Sequence, residues 1–113
     1  MTTITIEGLR QIVNKYLDDA IFPCITNPLD KLLFAGWKLT FMKWGFDKTI
    51  LGQIKPLGIV ADNGEVIVEG LRDFLTVLAS GNFQYDKKVG ESTIKFHKGH
   101  IEDILNLLPA PTP

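Results

Sequence analysis

The chain of 113 residues, 45% of them apolar, is long enough to bury one core and too short for two. Its 12 basic and 13 acidic residues nearly cancel, which argues against sequence-independent binding to nucleic acid or to an anionic membrane. The single cysteine, Cys24, cannot form an internal disulfide, and Glu7 interrupts any apolar leader. We therefore expect one intracellular domain over residues 1–108 and an extended, proline-rich tail over residues 109–113.

Helical patterns dominate the N-terminal half. Apolar residues at three- and four-residue steps predict a first helix over about residues 8–20. Asn27 is a suitable N-cap, Pro28 suits the first helical position, and Asp30 lies in the positive first turn. These three residues predict a second helix that runs to about residue 44 or 45.

The centre of the chain changes from a helical to a strand pattern. The segment after Gly45 is either a continuation of the second helix or a short third helix capped by Asp47. It should end near Lys55, because a proline at the next position disfavours helical geometry. Two β-branched runs over residues 57–68 then surround Asn63-Gly64, a pair typical of a primed hairpin turn, with positive φ at both residues.

The C-terminal half alternates between strands and helices. A helical pattern over residues 71–79 ends at Gly81, a second hairpin is predicted over residues 82–96, and a last helix over residues 99–108. The sequence therefore predicts an α+β fold, in which N-terminal helices pack with two small β-hairpins, each followed by a helix.

The tetrapeptide EGLR occurs twice, at residues 7–10 and 69–72, each time between a β-branched run and a helical pattern. Its glycine is expected at the bend from strand to helix, where a residue without Cβ tolerates unusual backbone angles. Glutamate and arginine three positions apart are expected to form a weak ion pair in each copy. We interpret EGLR as a local structural device. The alternative, a shared ligand motif, is less consistent with a single glycine, because anion-binding loops use several.

Candidates for catalysis and metal binding are few. Ser80 and Ser92 lie in turn-like contexts, and Cys24 is typical of a small core residue. His97 and His100 are followed by acidic residues, but one ends a strand and the other enters a helix, so their side chains need not converge on a metal. We therefore predict no catalytic residue, no metal site, no cofactor and no enzymatic activity.

The second helix has two apolar faces. In a helical projection, one face combines leucine with aromatic residues, and the other contains Leu32, Leu39 and Phe46. Because a small domain has difficulty covering both, one face is expected to bind a second copy of the chain or another protein. The predicted interface residues are Phe34, Trp37, Phe41 and Trp44.

A basic edge on the second hairpin provides an alternative function. Its lysines and histidine, with Tyr85 and Phe96 as stacking surfaces, are suited to a nucleotide or another anionic small molecule. They equally suit an exposed strand edge that is protected from aggregation by its charges. The predicted ligand-binding residues are Tyr85, Lys87, Lys88, Lys95, His97 and Lys98.

The order of elements in the C-terminal half resembles that of small uncharacterised accessory proteins of phages and prophages of Gram-positive bacteria. The elements that carry the resemblance are the LGI strand at residues 57–59, the turn at residues 62–64, the strand at residues 66–68, the helix at residues 71–79, Gly90, the strand at residues 94–96 and the helix at residues 101–108. The resemblance implies a virion or assembly component, or an inhibitor of a host defence system, located in the host cytoplasm or the virion. The implied partner is a phage or host protein, in addition to the second copy of the chain expected from the second helix.

Overall fold

The computed structural model describes residues 2–109, so the predicted tail lies outside the described residues except for Pro109. Over this range helices and short strands alternate along the chain, which confirms the predicted α+β class. The elements are β1 (Thr3–Ile4), α1 (Ile6–Tyr16), α2 (Pro28–Thr40), α3 (Gly52–Ile54), β2 (Val66–Ile67), α4 (Val68–Ser80), β3 (Gln84–Val89), β4 (Ser92–His97) and α5 (Lys98–Leu107).

α1 begins two residues before the predicted start, because Thr5 acts as its N-cap. The Thr5 hydroxyl accepts the backbone N–H of Gly8 at 2.9 Å. The helix continues beyond α1 through a π-helical turn, Leu17–Ile21, and a short 3-10 turn, Phe22–Cys24. It therefore extends past the predicted end at residue 20.

α2 begins at the predicted cap. The Asn27 side chain accepts the N–H groups of Leu29 and Asp30. Helical geometry then runs without a break over residues 28–54, because two π-helical turns, Phe41–Gly45 and Asp47–Leu51, connect α2 to α3. There is consequently no break at Gly45 and no cap at Asp47, and the helix stops beside Lys55 as predicted.

In the first predicted hairpin, the two predicted strands share a single β-bridge, between Val60 and Val66. β2 pairs over two residues with β1 at the N-terminus instead. The turn of this hairpin also differs from the prediction. The N–H of Gly64 donates to the Ala61 carbonyl at 2.9 Å, and Gly64 has φ +84°, but no described non-glycine residue has positive φ. A primed turn requires positive φ at Asn63 as well, so that turn type was wrong.

The second hairpin is confirmed. β3 and β4 pair antiparallel from Gln84–His97 to Val89–Ser92, which leaves a two-residue connection, Gly90 and Glu91. Tyr85 lies opposite Phe96, with ring centroids 6.1 Å apart. Gly90 has φ +61°, a conformation that favours glycine.

Asp30, in the first turn of α2, attaches this hairpin to the helix. The side chain is 2% exposed, and its carboxylate accepts the Ser92 hydroxyl at 2.5 Å and the Glu91 N–H at 3.3 Å. A Cβ atom at Gly90 would lie 2.0 Å from Asp30 Oδ1. The buried charge is therefore satisfied by the hairpin turn, and the turn must contain glycine to approach so closely.

The EGLR glycines do not lie at strand-to-helix bends. Gly8 and Gly70 are each the third residue of a helix, and neither has positive φ. The expected conformational role was therefore wrong. A Cβ atom would instead approach Thr5 Oγ1 to 3.1 Å at Gly8 and Ile59 Cγ1 to 3.2 Å at Gly70, so glycine permits close contacts there.

The leucine and the arginine of each EGLR copy connect one helix to another. Leu9 and Leu71 are each 2% exposed. Arg10 donates to the Met42 carbonyl at 2.5 Å, and Arg72 donates to the Leu105 carbonyl at 3.0 Å. Arg10 also forms the predicted ion pair with Glu7, but the second copy differs, since its Glu69 carboxylate accepts the Thr2 N–H. Both copies thus bury a leucine and place an arginine on a carbonyl of another helical segment.

Candidate protein-interaction surface

One side of α2 and its first π-helical turn is exposed and apolar. Its members recur every three or four residues, and we call this side the leucine face. It consists of Leu29, Leu32, Leu33, Gly36, Leu39, Thr40, Lys43 and Trp44. The exposed fractions of the large apolar members are 63% for Leu29, 69% for Leu32, 46% for Leu33, 68% for Leu39 and 58% for Trp44. Single exposed leucines are ordinary on a protein surface, but a contiguous row is typical of a binding surface.

Gly36 lies at the centre of the leucine face. A Cβ atom at this position would meet nothing within 4 Å, and the residue does not have positive φ. Neither close contact nor backbone geometry within the chain therefore requires glycine. In an exposed helix interior, glycine costs about 1 kcal/mol relative to alanine. The position is consequently one where another backbone could approach the helix closely.

The predicted aromatic interface is mostly internal. Phe34 is fully buried, so it cannot contact a second chain, and this part of the prediction needs correction. Trp37 stacks on Phe41 with ring centroids 5.3 Å apart, and both are half-buried against the core. Only Trp44 lies on the leucine face, with the Lys43 ammonium 5.0 Å from its ring centroid. The candidate interface therefore moves from the aromatic to the leucine side of the helix.

The predicted basic edge divides between the two sides of the hairpin. Strand alternation places Lys88, Lys95 and His97 on one side and Tyr85 with Lys87 on the other. Lys98 follows as the first residue of α5. The Lys87 ammonium lies 5.8 Å from the centroid of the Trp37 ring. Asp86 stands opposite Lys95 on the first side, which lowers its positive charge.

His97 and His100 build the N-terminus of α5. His97 Nδ1 accepts the Gly99 N–H and His100 Nδ1 accepts the His97 N–H, both at 3.1 Å. Both bonds require an unprotonated Nδ1. Burial, followed by the nearby His97, lowers the pKa of His100, while Asp103 opposes the shift. These histidines therefore use their ring nitrogens for helix capping. We did not predict this role from the sequence, although the segment His-Lys-Gly-His spans the start of the helix.

Among residues 2–109, no group of three or more histidine, cysteine or carboxylate side chains is arranged to hold a metal ion. Nor does that part of the chain contain a helix whose length and apolarity would allow it to cross a membrane. No protein-family model, curated protein or solved structure matches the chain. The leucine face is therefore the feature of the described residues from which a function can be inferred.

Proposed function

We propose that the chain is a non-enzymatic binding protein that assembles as a homodimer through the leucine face. The observation that carries this proposal is the continuous exposure of four leucines and Trp44 along one side of α2, with Gly36 at the centre. The phage-type role as a virion or assembly component, implied by the resemblance, stays a prediction.

The size of the leucine face supports a dimer. Its five large apolar side chains expose an area equivalent to about three complete side chains, and a two-fold interface would bury that amount from each copy. At about 1.5–3 kcal/mol per side chain the gross gain is about 9–18 kcal/mol. Association costs about 4–15 kcal/mol in lost freedom. The gain and the cost are of the same order, which is consistent with a weak, reversible dimer.

Charge favours an antiparallel crossing at Gly36. A parallel arrangement would bring the two copies of Lys43 together. In an antiparallel pair centred on Gly36, Lys43 lies beside Leu29 of the second copy, and the two Lys43 backbone positions are about 21 Å apart along the helix axis at a rise of about 1.5 Å per residue. The same arrangement sets Leu33 against Leu39. This arrangement therefore brings leucine against leucine and does not place like charges in contact.

The first test is the mass in solution of the parent and two aspartate variants, measured by light scattering and sedimentation. The parent is expected at twice 12.6 kDa. Leu39→Asp should give a folded monomer, because it places a charge inside the interface. Leu57→Asp is the matched control, since Leu57 is similarly exposed at 61% but lies outside the face. A monomeric parent at about millimolar concentration, or dimers in both variants, would refute the proposal.

A second test gives effects of opposite sign. Gly36→Ala should stabilise each chain by up to about 1 kcal/mol, because alanine is the better helix former. The same methyl group should weaken association by separating the crossing helices. Urea unfolding of the Leu39→Asp monomer with and without Gly36→Ala measures the first effect, and the dissociation constant of Gly36→Ala measures the second. An unchanged dissociation constant would mean that the helices do not cross at this position.

A further inference from the structure

A groove separates the end of α1 from α5 on a part of the surface that the proposed dimer does not use. Its volume is about 570 Å³, within the range of about 300–1,000 Å³ found for small-molecule sites. The residues that line it are Ile12, Lys15, Tyr16, Asp19, Ala20, Asp103, Asn106 and Leu107.

The groove has an apolar wall that remains open to solvent. Ile12 and Ala20 line it from the α1 side and Leu107 from α5, and Leu107 is 52% exposed. Asp19 and Ala20 belong to the π-helical turn Leu17–Ile21. Such turns are rare inside helices and are frequently found at functional sites. Here the π-helical turn supplies both a charged and an apolar member of the groove.

One carboxylate in the groove is held in place. The Tyr16 hydroxyl donates to Asp103 Oδ2 at 2.8 Å, and Tyr16 as a residue is only 7% exposed. Burial, followed by the hydrogen bond to Asp103, raises the pKa of Tyr16 above its usual range, so the phenol remains a donor. Within residues 2–109, no hydrogen bond reaches Asp103 Oδ1 and no ion pair holds Asp19. The free oxygen is therefore available to a ligand.

We propose that this groove binds a small amphipathic amine, with its ammonium group on Asp103 and its apolar part against Ile12, Ala20 and Leu107. The charge of the lining fits a cation, since two short carboxylates oppose only Lys15. The long Lys15 side chain can turn its ammonium into water, whereas Asp103 is fixed by Tyr16. The phenolic oxygen of Tyr16 provides a second acceptor for the ammonium.

The test is a titration of the isotope-labelled protein, followed by NMR, with 2-phenylethylamine and its neutral analogue 2-phenylethanol. The amine should shift the amide signals of residues 12–20 and 103–107. Asp103→Asn keeps an acceptor for Tyr16 but removes the charge, and should weaken amine binding by about 10-fold or more. Asp73→Asn, an exposed position on α4 outside the groove, is the matched control and should bind as the parent does.

A third variant tests the groove independently of Asp103. Ala20→Phe should fill the apolar wall and abolish the shifts while the remaining spectrum stays folded. The proposal is overturned if the alcohol binds as tightly as the amine, if the two aspartate variants bind alike, or if the shifts cluster elsewhere. A spectrum unchanged by about 10 mM amine would equally overturn it, because a built site should bind more tightly than that.

Discussion

Replacing Gly90 by alanine tests how strongly the second hairpin is fixed to α2. Two separate penalties are expected. Alanine at φ +61° costs about 1–2 kcal/mol in backbone strain. Its Cβ atom would also lie 2.0 Å from Asp30 Oδ1, so the carboxylate must move. Moving it leaves the bonds to Ser92 and Glu91 unmade, which costs about 1–3 kcal/mol more.

Gly64→Ala separates the two penalties. Gly64 has φ +84°, but a Cβ atom there would meet nothing within 4 Å. The free energy of unfolding of this variant should therefore fall only by the strain of about 1–2 kcal/mol, whereas that of Gly90→Ala should fall by about 2–5 kcal/mol in total. Urea unfolding followed by circular dichroism measures both values. They should be compared in the Leu39→Asp background, so that association does not contribute to the apparent stability.

A double-mutant cycle with Asp30→Ala decides whether the collision is the cause. Without the carboxylate, the cost of Gly90→Ala should fall toward that of Gly64→Ala, since Leu33 Cδ1, 3.1 Å from the Cβ position, belongs to an exposed and adaptable side chain. Equal costs for the two glycine variants, or strictly additive costs in the double variant, would refute the proposed attachment.

Two further predictions concern helix caps. Lowering the pH from about 7.5 to about 5.5 should reduce the stability of the parent, because the folded state depresses the pKa of His100. The contribution of neutral His100 to the free energy of unfolding is complete above the unfolded pKa of about 6.5 and is lost as the pH falls below it. Thermal unfolding of the parent and of His100→Asn, which retains an acceptor at every pH, measures this effect, and equal pH dependence in both would exclude it. Thr5→Ala should cost about 1 kcal/mol through loss of the α1 cap, whereas Thr76→Ala, where the hydroxyl bonds the Arg72 carbonyl within α4, should be nearly neutral. Comparable losses in these two threonine variants would argue against the cap.

Local signals in the sequence were sufficient to predict most of the elements. Asn27 followed by Pro28 located the start of α2, and Pro56 located the end of the continuous helix beside Lys55. In both cases the residue type fixes the nearby backbone without help from the rest of the fold. The pairing of β1 with β2 joins residues more than 60 positions apart, and no local pattern specifies such a partner. The three π-helical turns within residues 2–109 were also not predicted from the sequence.

The outer side of α2 could not be selected from sequence for a related reason. Its projection showed two apolar faces of similar strength, and the face that lies inward depends on which one meets α1 and the hairpin. The structure places Phe34 and Phe46 inside, and Gly36 and Thr40 at the centre of the exposed side. Gly36 was the residue that could have indicated the exposed side, because glycine in an exposed helix lowers stability relative to alanine.

The position of Asp30 beside Leu29 gives α2 two separable tasks. Asp30 points inward and holds the hairpin turn, whereas Leu29 begins the exposed leucine face. Loss of the Asp30 contact should therefore lower the stability of the chain while leaving the exposed face in place. A charge at Leu39 should lower association while leaving the Asp30 contact intact. If α2 only completed the core, neither Gly90→Ala nor Leu39→Asp would change the mass in solution, and each would act only on the stability of the chain. If α2 also carries an interface, Gly90→Ala should lower stability and Leu39→Asp should lower the mass. Comparing the two variants therefore distinguishes an ordinary core helix from one that also carries an interface.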